Sequence, residues 1–331
     1  MQRLIWTIIA AFAMSLVFGP IIVPWLKKLK FGQTIYDLGP QSHKKKQGTP
    51  TMGGLIFAIP AIIASVAFAY NDSRFDFLLI VLVSALGFGL IGFVDDFIKV
   101  KLHRSLGLTP KQKLIPQVVI ALGLSLWAYF HPLIGSSLTV PFLNVEWDLG
   151  WFYIPVMMFV LVGTVNSANL LDGLDGLCGG CSLFDFATMA LIGVALAAAN
   201  PDNASNLLNV AIFSGAMAGA LMGFLRYNSY PARVFMGDVG SFFIGGALMG
   251  TVLVTRLSLL LPIIALAMFV SSLSDIIQFA YFRATHGKRI FKMAPLHHHF
   301  ELSGMPETKV VTMYYIVTVC LCLISLLGFV A

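Results

Sequence analysis

Four short stretches of this chain combine residue types able to handle a phosphate and a metal ion. The first is Val94-Asp95-Asp96-Phe97-Ile98-Lys99, two adjacent carboxylates and a lysine closing an uncharged apolar run from Phe77 to Phe93. The second is Asn169-Leu170-Leu171-Asp172-Gly173-Leu174-Asp175-Gly176-Leu177. The third runs from Asn228 to Ser241 and holds Phe235 and Gly237-Asp238. The fourth is Ala294-Pro295-Leu296-His297-His298-His299-Phe300-Glu301. Carboxylates at the mouth of a membrane helix are costly to place there without a use. Magnesium prefers oxygen ligands and takes one or two carboxylates, with waters and substrate phosphates completing its shell. Phosphoryl transfer asks for little more than that metal, basic residues and an aligned nucleophile and leaving group. The Asp95-Asp96 pair is the natural first expectation for such a site.

Each stretch also has a plainer account. Asp95-Asp96 could be a solvated helix end, Asp172 and Asp175 turn residues beside glycines, and Asp238 a helix cap. The three histidines could lie at an interface without a ligand. Zinc on the histidines is a poor fit, because neighbours on a helix point about 100° apart and no cysteine accompanies them. Gly48-Thr49-Pro50-Thr51-Met52-Gly53-Gly54, with His43 and Lys46 just upstream, offers amides that could cradle a phosphate near a helix start.

The elements that must position these groups are membrane helices. Of 331 residues, 58% are hydrophobic and 11% charged, against about 25% charged in a soluble chain. Apolar runs long enough to span are expected at about 4–26, 52–70, 77–95, 114–132, 151–170, 177–199, 206–225, 239–255, 258–282 and 309–330. The fold expected is an all-α integral membrane protein of about ten transmembrane helices in a single polytopic domain, 1–331. The N-terminal run lacks a small-residue cleavage site and is expected to be the first span. The ninth run contains Pro262, Ser274 and Asp275, so a kink or break is expected. Ser136 to Asp148 alternates enough to form a small hairpin.

With alternating loops, all of the 21 Lys and Arg residues except Arg3, Arg74 and Arg256 fall on one side. That bias makes the side cytoplasmic and both termini external. All four acidic or histidine-rich stretches lie on that face, so the clusters are unlike ordinary topology charges. The net charge of +6 reads as topology and attraction for anionic substrates and headgroups, and no nucleic acid is expected. Cys178-Gly-Gly-Cys181 has redox-motif spacing but lacks a βαβ setting; small buried residues are the expectation. A secondary transporter would carry its charges near the midplane, where only Asp185 and Asp275 are expected.

These motifs, with His43 to Gly54 and Arg289 to Glu301, resemble the phospho-N-acetylmuramoyl-pentapeptide transferases of the polyprenyl-phosphate N-acetylhexosamine-1-phosphate transferase superfamily. The resemblance covers essentially the whole chain. Asp-Asp and Asn-x-x-Asp-Gly-x-Asp-Gly mark the superfamily; the triple histidine and Gly-Thr-Pro-Thr-Met-Gly-Gly mark the branch. It implies a bacterial multi-pass plasma-membrane enzyme that uses Mg2+, UDP-MurNAc-pentapeptide and undecaprenyl phosphate, forms lipid I and UMP, and acts as a homodimer. By motif it moves the metal to Asp238 and makes Asp95 the residue that deprotonates the lipid phosphate. Asp96 and Asp175 then complete the acidic site, and His297 joins the catalytic set. A covalent aspartyl-phosphate is the alternative chemistry. Substrate contacts are implied for Lys46, Lys111, Lys113, Asn169, Asp172, Asn228, Phe235, Gln278, His298 and His299, with Phe235 suited to stack on uracil. The sister group using UDP-GlcNAc is the rival within the superfamily. Tyr36, Leu38, Ser271, Asp275, Cys178 and Cys181 depart from the family pattern.

Overall fold

The computed structural model describes residues 1–28, 46, 48–70, 75–102, 107–143 and 145–328. Tyr36, Leu38 and His43 lie outside them. The described chain forms α1 (Gln2–Lys28), α2 (Leu55–Phe68), α3 (Asp76–Lys101) and α4 (Pro110–Phe130). A hairpin follows, β1 (Ser137–Val140) and β2 (Val145–Asp148). Then come α5 (Tyr153–Leu171), α6 (Leu177–Ala199), α7 (Ala204–Asn228), α8 (Gly237–Val254), α9 (Leu261–Ile264), α10 (Leu266–Ala284), α11 (Leu296–Leu302) and α12 (Glu307–Leu327).

Among the described residues, eight helical stretches are long and apolar enough to cross a membrane: α1, α3, α4, α5, α6, α7, α8 and α12. The architecture is that of an all-α membrane protein. The other two expected runs differ. The second is a helix of 14 residues, shorter than a span needs. The ninth is broken at Ala265, between α9 and α10. Pro262 sits in the short first piece, whereas Ser274 and Asp275 lie within the continuous α10. The break therefore belongs to the proline end of that run.

The expected hairpin is present and antiparallel, pairing Ser137 with Asp148 and Val140 with Val145. Alternation of small polar and branched residues suits such a pair. Arg256, just beyond α8, fixes it: its backbone carbonyl accepts from the Thr139 N–H at 3.0 Å and its side chain donates to the Ser137 carbonyl at 3.2 Å.

At the centre lie α7 and α8. In lipid, helices associate through close packing rather than through water exclusion, so small residues let backbones meet. The α3–α8 seam follows this rule. Gly246 lies against Ser84 and Phe88, Gly250 against Val81, and Gly92 directly on the Asp238 backbone. A side chain at Gly92 would strike the Asp238 carbonyl. This contact, one turn before Asp96, sets the two acidic motifs side by side. Cys178 and Cys181 are buried free thiols in α6, as expected of small core residues.

Candidate active site

The end of α3 and the start of α8 deliver three carboxylates to one point. Ligand oxygens of Asp95, Asp96 and Asp238 lie within 4.8 Å of one another. Asp95 and Asp96 are 0% and 1% exposed, so neither is a solvated helix end. Asp238 occupies the first turn of α8 without acting as a cap.

Each carboxylate has one oxygen fixed by a neutral donor. The Leu108 N–H donates to Asp95 Oδ1 at 2.6 Å, and the Val239 N–H to Asp96 Oδ2 at 3.1 Å. The Asn169 amide donates to Asp238 Oδ1 at 2.9 Å and to Ser241 Oγ at 2.9 Å. The remaining oxygens converge on two ammonium groups. Lys99 Nζ stands 2.6 Å from Asp95 Oδ2, 3.4 Å from Asp96 Oδ1 and 3.0 Å from Asp238 Oδ2. Lys113 Nζ stands 3.0 Å from Asp95 Oδ2 and 2.7 Å from Asp238 Oδ2. Lys113 is carried by α4, whose start is fixed by a Thr109–Gln112 capping box after Leu108. Lys111 is exposed on the same turn. Three acids with two cations leave one negative charge, and three carboxylate oxygens within 4.8 Å of one another could hold a divalent cation.

Asp172, at the end of α5, faces this cluster. Burial raises its carboxyl, and the charges of Asp238, Asp96 and Asp175 raise it further, to about 8. Asn169 and Asp238, from separate motifs, come together.

Asp175 belongs to a second constellation. Its Oδ1 is 2.7 Å from Lys46 Nζ, and its Oδ2 accepts from the Ala232 N–H at 2.9 Å. Glu307, the first residue of α12, completes it, 2.6 Å from Lys46 Nζ and accepting from the Asp175 N–H at 2.8 Å. Burial lowers the Lys46 amine, but the hydrogen bonds and charges of Asp175 and Glu307 outweigh it and hold the amine above its usual value. Asn228 accepts from the Gly176 N–H at 3.1 Å and donates to the Val234 carbonyl at 3.0 Å. A cavity of about 760 Å3 opens here, walled by Lys46, Asp175, Tyr230, Glu301 and Glu307, within the size range of small-molecule sites.

The histidines diverge. His297 is buried against Gly173, where a side chain would strike its ring. His298 Nδ1 lies 2.8 Å from Glu301, and His299 Nδ1 accepts from the Lys292 N–H at 3.1 Å. Ser274 Oγ accepts from the Leu296 N–H at 2.9 Å. This part of α10 therefore serves the histidine segment. Gln278 is engaged with backbone: it accepts from the Ile290 and Phe291 N–H groups at 3.1 and 3.0 Å and donates to the Phe291 carbonyl at 2.9 Å.

The phosphate-cradle expectation for Gly53 and Gly54 is corrected. Their N–H groups donate to the Phe235 and Met236 carbonyls at 2.8 and 2.9 Å, and the Phe235 N–H donates to the Pro50 carbonyl at 2.8 Å. The segment zips onto the loop carrying the half-buried Phe235, and those donors are consumed. Glu307 was not among the expected site residues. Lys99 stood inside the Asp-Asp motif. Glu307 carried only the weak signal of an acid at a helix start, far in sequence from Lys46.

The profile of glycosyl transferase family 4 matches residues 78–256, and phospho-N-acetylmuramoyl-pentapeptide-transferase signature 1 matches residues 46–57. The chain is 45% identical over 318 residues to the phospho-N-acetylmuramoyl-pentapeptide-transferase of a Thermoanaerobacter species, covering 96% of each chain. It is 44% identical to those of Caldanaerobacter subterraneus, over 324 residues, and Clostridioides difficile, over 326 residues, covering 98% of each chain. The apolar helices and these bacterial relatives make this a multi-pass protein of the bacterial plasma membrane. With identity of this level along nearly the whole length, the chain belongs to the phospho-N-acetylmuramoyl-pentapeptide-transferase family.

Proposed function

We propose that the chain transfers phospho-MurNAc-pentapeptide from UDP-MurNAc-pentapeptide to undecaprenyl phosphate, yielding lipid I and UMP. The observation that carries this is the convergence of Asp95, Asp96 and Asp238 with Lys99 and Lys113. Asp238 is the magnesium ligand in this reading, with Asp95 and Asp96 beside it. A bound magnesium ion would neutralise pyrophosphate charge.

The protein's own groups do the rest. Asp95 takes the proton of the lipid phosphate, whose oxygen then attacks the β-phosphorus. The new P–O bond forms as the bond to the α-phosphate breaks, and UMP leaves with the electron pair. Lys99 and Lys113 hold the phosphates once drawn from their carboxylates. Phe235 stacks on uracil, and the cavity beside Lys46 holds part of the nucleotide sugar, near His297 and His298. Asp172, His299 and Lys111 complete the contacts. Gln278 acts through the Ile290–Phe291 loop it ties down.

The site faces the cytoplasm, in a single polytopic domain with external termini, the short second helix and the broken ninth run crossing together with the eight long helices, supported by the distribution of lysine and arginine. The active form is a homodimer, supported by the family resemblance. Purified protein supplied with undecaprenyl phosphate should release UMP and form labelled lipid from UDP-MurNAc-pentapeptide. It should form none from UDP-GlcNAc; the opposite preference overturns the assignment.

A further inference from the structure

We propose that a groove between α1 and α7 binds an anionic glycerophospholipid, with its phosphodiester held by Arg226 and Arg233. The groove encloses about 730 Å3. Its apolar wall is Phe12 and Leu16, one turn apart on α1, with Met222 and Leu225 on α7. Arg226 and Arg233 line its polar part. The two helices run parallel in close contact: Gly219 meets the Ile8 backbone, Gly223 meets Ser15, and the Tyr227 hydroxyl donates to the Leu16 carbonyl at 2.7 Å. Both helices are long and apolar enough to cross a membrane, and Met222 is exposed on the outer surface.

Placement marks these two arginines: both line the one groove. Lys46, Lys99 and Lys113, near the same end of the bundle, are each matched to two or more carboxylates. Among the described residues, Arg226 and Arg233 have no carboxylate partner, and both are exposed. Two permanently charged, fork-shaped donors lining one cavity suit a phosphodiester. The apolar wall suits an acyl chain. Tyr230 and Pro231 line both this groove and the cavity beside Lys46. The groove therefore lies behind the turn that walls the catalytic side, as a site separate from it.

The test is native mass spectrometry of the delipidated full chain, titrated with phosphatidylglycerol or phosphatidylcholine of matched acyl chains. Wild type should retain phosphatidylglycerol preferentially. The Arg226→Gln, Arg233→Gln double variant should lose about tenfold or more of that retention, with phosphatidylcholine unchanged. Met222→Trp, which fills the apolar wall and leaves both guanidiniums, should lower retention as well; this variant decides the matter if the double variant does not fold. Equal retention of the two lipids by wild type overturns the proposal, as does unchanged phosphatidylglycerol retention in Met222→Trp or in a folded double variant. Displacement of phosphatidylglycerol by undecaprenyl phosphate at equal stoichiometry also overturns it, by assigning the groove to the acceptor. The readout is binding alone, so a failed transferase assay leaves it intact.

Discussion

Asp96 and Asp76 stand on the same helix, α3, at opposite ends, and their surroundings differ in kind. Asp96 is buried, with one oxygen fixed by a backbone N–H and the other turned to a lysine shared with two further acids. Asp76 is half-exposed and has a histidine, His131, 2.9 Å away. The same contrast separates Lys46, held by two chain-distant acids, from Arg256, whose partner Glu146 is 59% exposed. At one end charge is concentrated and shared, which costs folding energy unless a ligand uses it. At the other end each carboxylate is at least part-exposed and ion-paired with a single partner, which contributes little. Function should therefore be steeply unequal between the two ends.

The largest effect is expected at Asp238. Asp238→Asn keeps the size and the bond from Asn169 but removes the charge facing Lys99 and Lys113. Turnover should fall by about a hundredfold or more, with thermal unfolding nearly unchanged. Measuring UMP release across a magnesium series checks this; near-normal activity would take Asp238 out of the proposed metal site.

Next is Glu307. Glu307→Ala removes two bonds to charged or backbone donors, one of them worth about 1.5 kcal/mol or more. The kcat/KM for the nucleotide substrate should drop about tenfold, while Glu307→Gln, which can still accept, should retain most activity. In both variants Lys46 should acylate faster at mildly alkaline pH, because its amine loses the charge that holds it protonated. Equal activity in all three proteins would mean that Glu307 only fastens α12.

What the sequence could say about this site follows from how its parts are coded. Eight of the ten expected spans and the acidic motifs were legible because both are local: apolar run length, and acids at a helix end that membrane helices do not otherwise tolerate. The hairpin was legible for the same reason. The break in the ninth run was foreseen, but Ser274 and Asp275 were misread as part of it. Ser274 serves α11, a contact between elements that no local pattern reports. The Gly53 and Gly54 amides were misassigned because their partners, the Phe235 and Met236 carbonyls, lie far along the chain. Glu307 was missed for that reason too. Local chemistry was readable; which loop pairs with which was not.

Asp172 tests the electrostatics of the crowded end. Its carboxyl sits near 8 in the fold, against about 4 in an unfolded chain. Between those values the folded protein holds a proton that the unfolded chain has lost. This contribution to stability is complete below about pH 4 and is lost as pH rises through about 8. Asp172→Asn deletes the term. In metal-free buffer, the difference in Tm between variant and wild type should grow in the variant's favour from pH 5 to pH 8. A constant difference would mean that Asp172 is not crowded by the other acids.

The smallest effect is expected at Glu146. Its ion pair with Arg256 spans 2.7 Å, but the carboxylate is mostly in water, where such pairs contribute about 0–1 kcal/mol. Arg256 also keeps its backbone and side-chain bonds to the hairpin strand when Glu146 changes. Glu146→Gln should leave UMP release within about twofold of wild type and shift Tm by no more than about 4 °C. The comparison is sharpest here, because the bond is as short as those around Lys113 and differs from them mainly in its exposure. A large loss of activity would mean that the hairpin end is coupled through α8 to Asp238. In that case bond length, and not burial and sharing, would be the better guide to where charge matters in this bundle.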